Sequence, residues 1–74
     1  MDTVYVAFCN DRHTDPDITV WKSREEAINY ARLYMQAHTA HPDGLCEEDD
    51  GTNWVIEYQY ESDYAIVVPA MVCS

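Results

Sequence analysis

The sequence predicts a small α+β domain of order ββαββ, with one helix packed on a four-stranded, mostly antiparallel sheet. Two alternating stretches rich in β-branched and aromatic residues precede position 23, a helical stripe follows, and two more alternating stretches close the sequence. With 74 residues, the chain accommodates one hydrophobic core. We therefore expect residues 1–74 to form a single acidic domain.

The first two strands are predicted to form a hairpin with a long loop. Apolar and β-branched residues alternate over Thr3–Cys9 and again over Ile18–Lys22. The intervening residues 10–17 are polar and include Pro16, a combination typical of a turn or loop.

A helix is predicted from Arg24 to His38. Ser23 precedes it as an N-cap, and Glu26 stands at the capping-box spacing. Glutamates in the first turn also favour the positive end of the helix dipole. The apolar stripe recurs at three- and four-residue steps and consists of Ala27, Ile28, Ala31, Tyr34, Met35 and His38.

The last two strands follow an acidic loop that we expect over Asp43–Asn53. Alternation is clearest over Trp54–Glu61, and a strand over Tyr64–Val68 should end at Pro69. The expected core comprises Val4, Val6, Phe8, Ile18, Val20, Ile28, Ala31, Met35, Trp54, Ile56, Tyr58, Ile66 and Val68.

Not every large side chain fits beneath one helix. Tyr5 and Trp21 are expected on the open face of the sheet, where they would form a second interface, with homodimerisation as its simplest use. A homodimeric phage or plasmid accessory module is therefore an alternative to the function argued next.

The charge is large and unevenly distributed. The net charge is −10, and the segment from Leu33 to the end contains eight acidic residues with no Lys or Arg. Such a charge disfavours direct binding to nucleic acid or to an anionic membrane. It favours docking on a basic protein, through a surface that consists of Asp43, Glu47, Glu48, Asp49, Asp50, Glu57, Glu61 and Asp63.

The spacing of two of these carboxylates adds to the argument. In a continuous strand Glu57 and Glu61 would lie ~13 Å apart on the wet face, a few nucleotide steps of DNA. Besides docking, the acidity has two alternative causes that stay open: solubility alone, and adaptation to high salt.

Several residue groups have ligand or catalytic chemistry without the spacing that such sites need. His38, His41, Asp43 and Cys46 contain no paired CxxC motif, and residues 47–53 lack the carboxylate spacing of a calcium loop. A second group consists of His13, Asp15 and Asp17. We expect no metal and no cofactor.

The candidate catalytic pairs in this sequence also lack features that catalysis needs. Cys9 with His13 lacks an orienting acid, and Glu57 with Glu61 on a wet strand face would not have separated pKa values. We therefore expect the protein not to be an enzyme.

The expected compartment is the cytoplasm. The first residues carry no basic segment of a signal peptide, and no apolar run approaches the ~20 residues that cross a bilayer. Three cysteines without regular spacing indicate free thiols, with a bridge between Cys9 and Cys73 as the alternative.

Small size, strong acidity and the ββαββ order resemble the phage-encoded anti-CRISPR proteins, several of which mimic DNA in their charge. The residues that carry this resemblance are the run Glu47–Asp50 and the set Glu57, Glu61 and Asp63. The resemblance implies an inhibitor in a bacterial host cell that occupies the basic DNA channel or motif-reading site of a CRISPR–Cas effector.

Overall fold

The computed structural model describes residues 2–11 and 15–72. One helix packs on one five-stranded sheet of strand order β2-β1-β5-β4-β3, in which all neighbouring strands are antiparallel. The elements in chain order are β1 (Asp2–Asn10), β2 (Asp17–Trp21), α1 (Arg24–His38), a 3₁₀ turn (Pro42–Gly44), β3 (Leu45–Asp49), β4 (Trp54–Tyr58) and β5 (Tyr64–Val72).

The α+β class is confirmed, and the prediction of four strands is wrong. The additional strand is β3, which lies inside the segment expected to be an acidic loop. Consecutive acidic residues have low strand propensity, but the ladder to β4 and two ion pairs to the helix hold them extended.

The ends of the last two strands also differ from the prediction. β4 stops at Tyr58, and residues 59–62 form a turn, so Glu61 is not in a strand. β5 continues through Pro69 to Val72. Its ladder with β4 ends at Val67 while the ladder with β1 continues, so Pro69 pairs on one side only, as an edge residue does.

The helix begins where the capping box predicts. The Ser23 hydroxyl accepts a hydrogen bond from the Glu26 amide at 3.3 Å, and the Ser23 carbonyl accepts one from the Ala27 amide at 3.1 Å. The helix then covers one face of the sheet with Ala27, Ile28, Ala31 and Met35. Thr39 ends it in an extended conformation.

The face of the sheet beneath the helix forms the core. It combines small residues in the middle strands with large ones in β4, which leaves room for the helix above β1 and β5. Its fully buried or nearly buried members are Ala7, Cys9, Trp54, Ile56, Tyr58, Ala65 and Val67.

The predicted core was partly on the wrong face. Trp54, Ile56 and Tyr58 are buried as expected, with Ile28, Ala31 and Met35 of the helix. Ile18 and Val20 are instead 61% and 63% exposed. The other members that face away from the helix are Val4, Val6, Phe8, Ile66 and Val68, all partly exposed.

We call the side of the sheet that lacks the helix the open face. Residues directly opposite in an antiparallel ladder share a face, and the pairing registers place an apolar set there. Its members are Val4, Val6, Phe8, Ile18, Val20, Val55, Tyr64, Ile66, Val68, Ala70 and Val72.

Candidate functional site

The acidic strand β3 is fastened to the helix by two ion pairs. Arg32 donates to both Glu47 oxygens, at 3.0 and 2.7 Å, and Arg24 donates to both Asp49 oxygens, at 3.3 and 2.6 Å. Two-point contacts of this kind fix the orientation of both partners. Glu47 and Asp49 of the acidic run therefore have a structural role.

The charges of these pairs stabilise the ionised carboxylates. The hydrogen bonds from Arg32 lower the pKa of Glu47, and those from Arg24 lower the pKa of Asp49. The Trp54 indole also donates to Glu47, at 3.3 Å, and the Arg32 guanidinium lies 5.7 Å from the Trp54 ring centroid. Glu47 thus joins β3, β4 and the helix.

The turn between β3 and β4 is closed by its own acidic residues. Asp49 accepts from the Gly51 amide at 2.8 Å, and Asp50 accepts from the amides of Thr52 and Asn53 at 2.8 and 2.6 Å. The backbone hydrogen bonds lower the pKa of Asp50, and Gly51 supplies the positive φ of 92°. These carboxylate oxygens face backbone donors, which makes the segment an ordinary turn.

Glu48 and Glu57 point the other way, onto the open face. Glu48 is paired with Val55 and Glu57 with Cys46, so the two glutamates are diagonal neighbours across β3 and β4, ~7–8 Å apart. Both are exposed. They form the part of the predicted surface that is accessible without disturbing the helix.

The remaining acidic residues of the C-terminal part of the chain, Glu61 and Asp63, line a shallow hollow together with Glu57. It has a volume of about 230 Å³ and is lined by Glu57, Tyr58, Glu61, Ser62, Asp63 and Tyr64. Asp63 is only 2% exposed. The expected ~13 Å strand spacing between Glu57 and Glu61 is wrong, because the chain turns after Tyr58 and brings the carboxylates to one hollow.

Asp43 lies apart from that hollow, exposed in the 3₁₀ turn. It lines a second depression, of about 280 Å³, with His41 and Tyr60. The predicted acidic residues therefore do not form one continuous surface. They lie in several separate places around β3 and β4, and two of them are bound to arginines of the helix.

The expectation that Tyr5 and Trp21 lie on an open face is wrong. They are opposite each other in the ladder of β1 and β2, on the helix side, and both pack against the core. The Trp21 ring lies 5.3 Å from the ring of Tyr30, and its indole donates to Thr19 at 2.8 Å. The interface predicted at these two residues loses its basis.

The ligand-type residues of the metal hypothesis have separate partners. His38 stacks on Tyr34 at 4.1 Å, and its Nδ1 lies 3.2 Å from a carboxylate oxygen of Asp11. The His41 amide donates to the Tyr58 hydroxyl at 3.2 Å. Among residues 2–11 and 15–72, no three His, Cys, Asp or Glu side chains converge on one point.

Asp11 is a buried charged residue, only 5% exposed, for which the sequence predicted no role. Its contact with His38 links the end of β1 to the end of the helix. The only sequence signal was an Asp directly after a strand, which is common in loops.

The thiols that the structure describes differ in exposure. Cys9 is fully buried, and burial raises its pKa to about 12, which does not suit a nucleophile. Cys46 is exposed, and its sulfur accepts a hydrogen bond from the side-chain Nε2 of Gln59 at 2.6 Å. His13 of the disfavoured Cys9–His13 pair and Cys73 of the alternative Cys9–Cys73 bridge lie outside the described ranges.

Comparisons with known proteins identify no relative. The chain matches no protein-family model, no curated protein and no solved structure. The helix in the described part of the chain is too short and polar to cross a bilayer.

Proposed function

We propose that this protein is a non-enzymatic inhibitor that binds a basic, nucleic-acid-handling protein complex. The observation that carries the proposal is the hollow beside β4 that Glu57 and Glu61 line, with Asp63 almost fully buried in its wall. Glu48 extends the same acidic surface along β3.

The chemistry of this surface suits arginine and lysine side chains. A hollow of about 230 Å³ holds the end of one long basic side chain, and carboxylates accept bidentate hydrogen bonds from a guanidinium. Clefts that bind phosphates carry such basic residues. An acidic protein seated in that cleft would exclude nucleic acid without any chemical step.

The resemblance to anti-CRISPR proteins names the partner class, a CRISPR–Cas effector whose basic channel receives target DNA. Glu47 and Asp49, which are bound to arginines of the helix, take a smaller part in this contact than Glu48 and Glu57. The cytoplasm of a bacterial host is the compartment this function requires.

The test is capture of purified CRISPR–Cas effector complexes by the immobilised protein, with competition by target DNA. We expect binding that weakens as salt rises, because exposed charge contacts are screened. Glu48→Lys with Glu57→Lys should abolish capture. The single variant Glu57→Lys is compared with the matched control Asp15→Lys, an exposed acidic residue between β1 and β2, at the opposite side of the sheet.

Two outcomes count against the proposal. Capture that is unchanged in the double variant would exclude the carboxylate surface. Failure to bind any effector complex, with the wild-type fold intact, would remove the CRISPR partner class.

A further inference from the structure

The open face carries several large apolar side chains that are exposed to solvent in the monomer. Ile18, Val20 and Val72 are 61%, 63% and 46% exposed, and all three lie on this face. Phe8 and Tyr64 add two rings whose centroids lie 6.2 Å apart. A monomer gains nothing from leaving these groups in water.

The size of the face suits a small specific interface. β1 and β5 have nine residues each and β2 and β4 five each, so with ~3.4 Å per residue and ~4.8 Å between strands the four cover roughly 450 Å² in projection. Side chains that stand out from the sheet increase the accessible area. Two copies together reach about 1,000 Å², the lower limit for a specific interface.

The charges at the corners of the face make it complementary to itself. Lys22 lines a hollow with Thr3, Val4 and Val72 at the β2 side, whereas Glu48 and Glu57 lie at the β3–β4 side. A twofold axis parallel to the strands exchanges the two sides. Lys22 of each copy is then on the same side as the partner's acidic β3–β4 turn.

We propose that the open face is the interface of a symmetric homodimer, in which two sheets pack face to face with their helices outside. Sheets in such sandwiches pack ≈ 10 Å apart. The axis parallel to the strands places the two β3 strands on opposite sides of the dimer, where their carboxylates do not repel each other. The perpendicular axis would place both β3 strands at the same edge of the dimer and concentrate negative charge there.

The first test is sedimentation velocity of the full chain over a range of protein and salt concentrations. Dimerisation should strengthen as NaCl rises, because the screened repulsion between two chains of net charge −10 exceeds the screened attraction of the two Lys22 contacts. This salt dependence is opposite to that of the proposed capture of a basic partner, so either proposal can fail while the other stands. A chain that stays monomeric up to about 1 mM at all salt concentrations would overturn the inference.

The second test is Val20→Lys, with Leu33→Lys as the matched control. Both residues are apolar and more than 60% exposed, but Leu33 lies on the helix, away from the open face. Val20→Lys should raise the dissociation constant about tenfold or more, although it lowers the net negative charge. Equal dissociation constants for both variants, with unchanged circular dichroism, would also overturn the inference.

Discussion

Neighbouring glutamates of β3 should respond in opposite ways to the same charge reversal. Glu47 lies on the helix side and is bound by Arg32, whereas Glu48 lies on the open face. We expect Glu47→Lys to destabilise the domain and Glu48→Lys to stabilise it slightly. The two variants are isomers of identical net charge, so any difference reflects the position of the charge.

The expected loss for Glu47→Lys has three parts. An exposed ion pair contributes roughly 0.2–1 kcal/mol, and the side chains of Arg32 and Glu47 are 36% and 40% exposed. The new lysine repels Arg32 by a similar amount, and the Trp54 indole loses its acceptor. The free energy of unfolding should therefore fall by about 2 kcal/mol.

The expected gain for Glu48→Lys follows from Coulomb's law. At ~7.5 Å in bulk water, the repulsion between Glu48 and Glu57 is about 0.5 kcal/mol, and the lysine turns it into an attraction of the same size. Screening at about 0.1 M salt roughly halves the change. The net gain should be about 0.5 kcal/mol.

Urea unfolding followed by tryptophan fluorescence measures both effects. With a slope of about 1 kcal/mol/M for a small domain, the midpoints of the two variants should differ by about 2–3 M. The difference should narrow in 1 M NaCl, where the screening length is about 3 Å. Equal midpoints at low salt would refute the assignment of Glu47 to the helix contact and Glu48 to the open face.

Three further predictions concern the fold. Ser23→Ala removes the hydroxyl that caps the helix and should cost about 1 kcal/mol, measured by thermal unfolding, with Ser62→Ala in the exposed turn as a control expected to stay near wild type. Met35→Ala leaves a cavity at a fully buried position and should cost about 2–5 kcal/mol, whereas the exposed Leu33→Ala should cost far less in the same urea titration. Stability should fall as pH rises above about 9, because the pKa of Cys9 is raised to about 12 in the folded state and the unfolded chain ionises first. Cys9→Ala should reduce that alkaline loss in circular dichroism titrations, and an unchanged profile would contradict it.

The helix could be predicted to the residue because its signals are local. Each signal involves residues only three or four positions apart: Ser23 caps the helix with Glu26 at the capping-box spacing, and the apolar stripe that includes Met35 repeats every three to four residues. β3 could not be predicted in this way. Its stability depends on Arg24 and Arg32, which are 25 and 15 residues away from their partners.

The face of β1 that was predicted to be buried is the open one, and this error has a different cause. Both alternating sets of Thr3–Cys9 are apolar, so the pattern does not tell which set is buried. The small residues Ala7 and Cys9 lie beneath the helix because the helix backbone needs room there, and the larger Val6 and Phe8 turn outward. Hydrophobicity alone would have favoured the opposite face.

The sequence predicted which acidic residues belong to the site, but it did not predict how they are arranged in space. Glu47, Glu48 and Asp49 are consecutive in the sequence, and in a β-strand consecutive side chains point to opposite faces of the sheet. Only the contacts with the helix reveal which of them are accessible. The turn after Tyr58, which brings Glu61 next to Glu57, depends on the pairing of β4 with β5.

The charges of β3 also bear on aggregation. Among the strands that the structure describes, β3 is at the edge of the sheet, and no described strand pairs with the backbone groups on its outer side. Two identical chains that joined there edge to edge would set carboxylates directly against carboxylates, which destabilises a ladder. The strand that is least like a typical β-strand in composition thereby opposes edge-to-edge pairing with a second copy of itself.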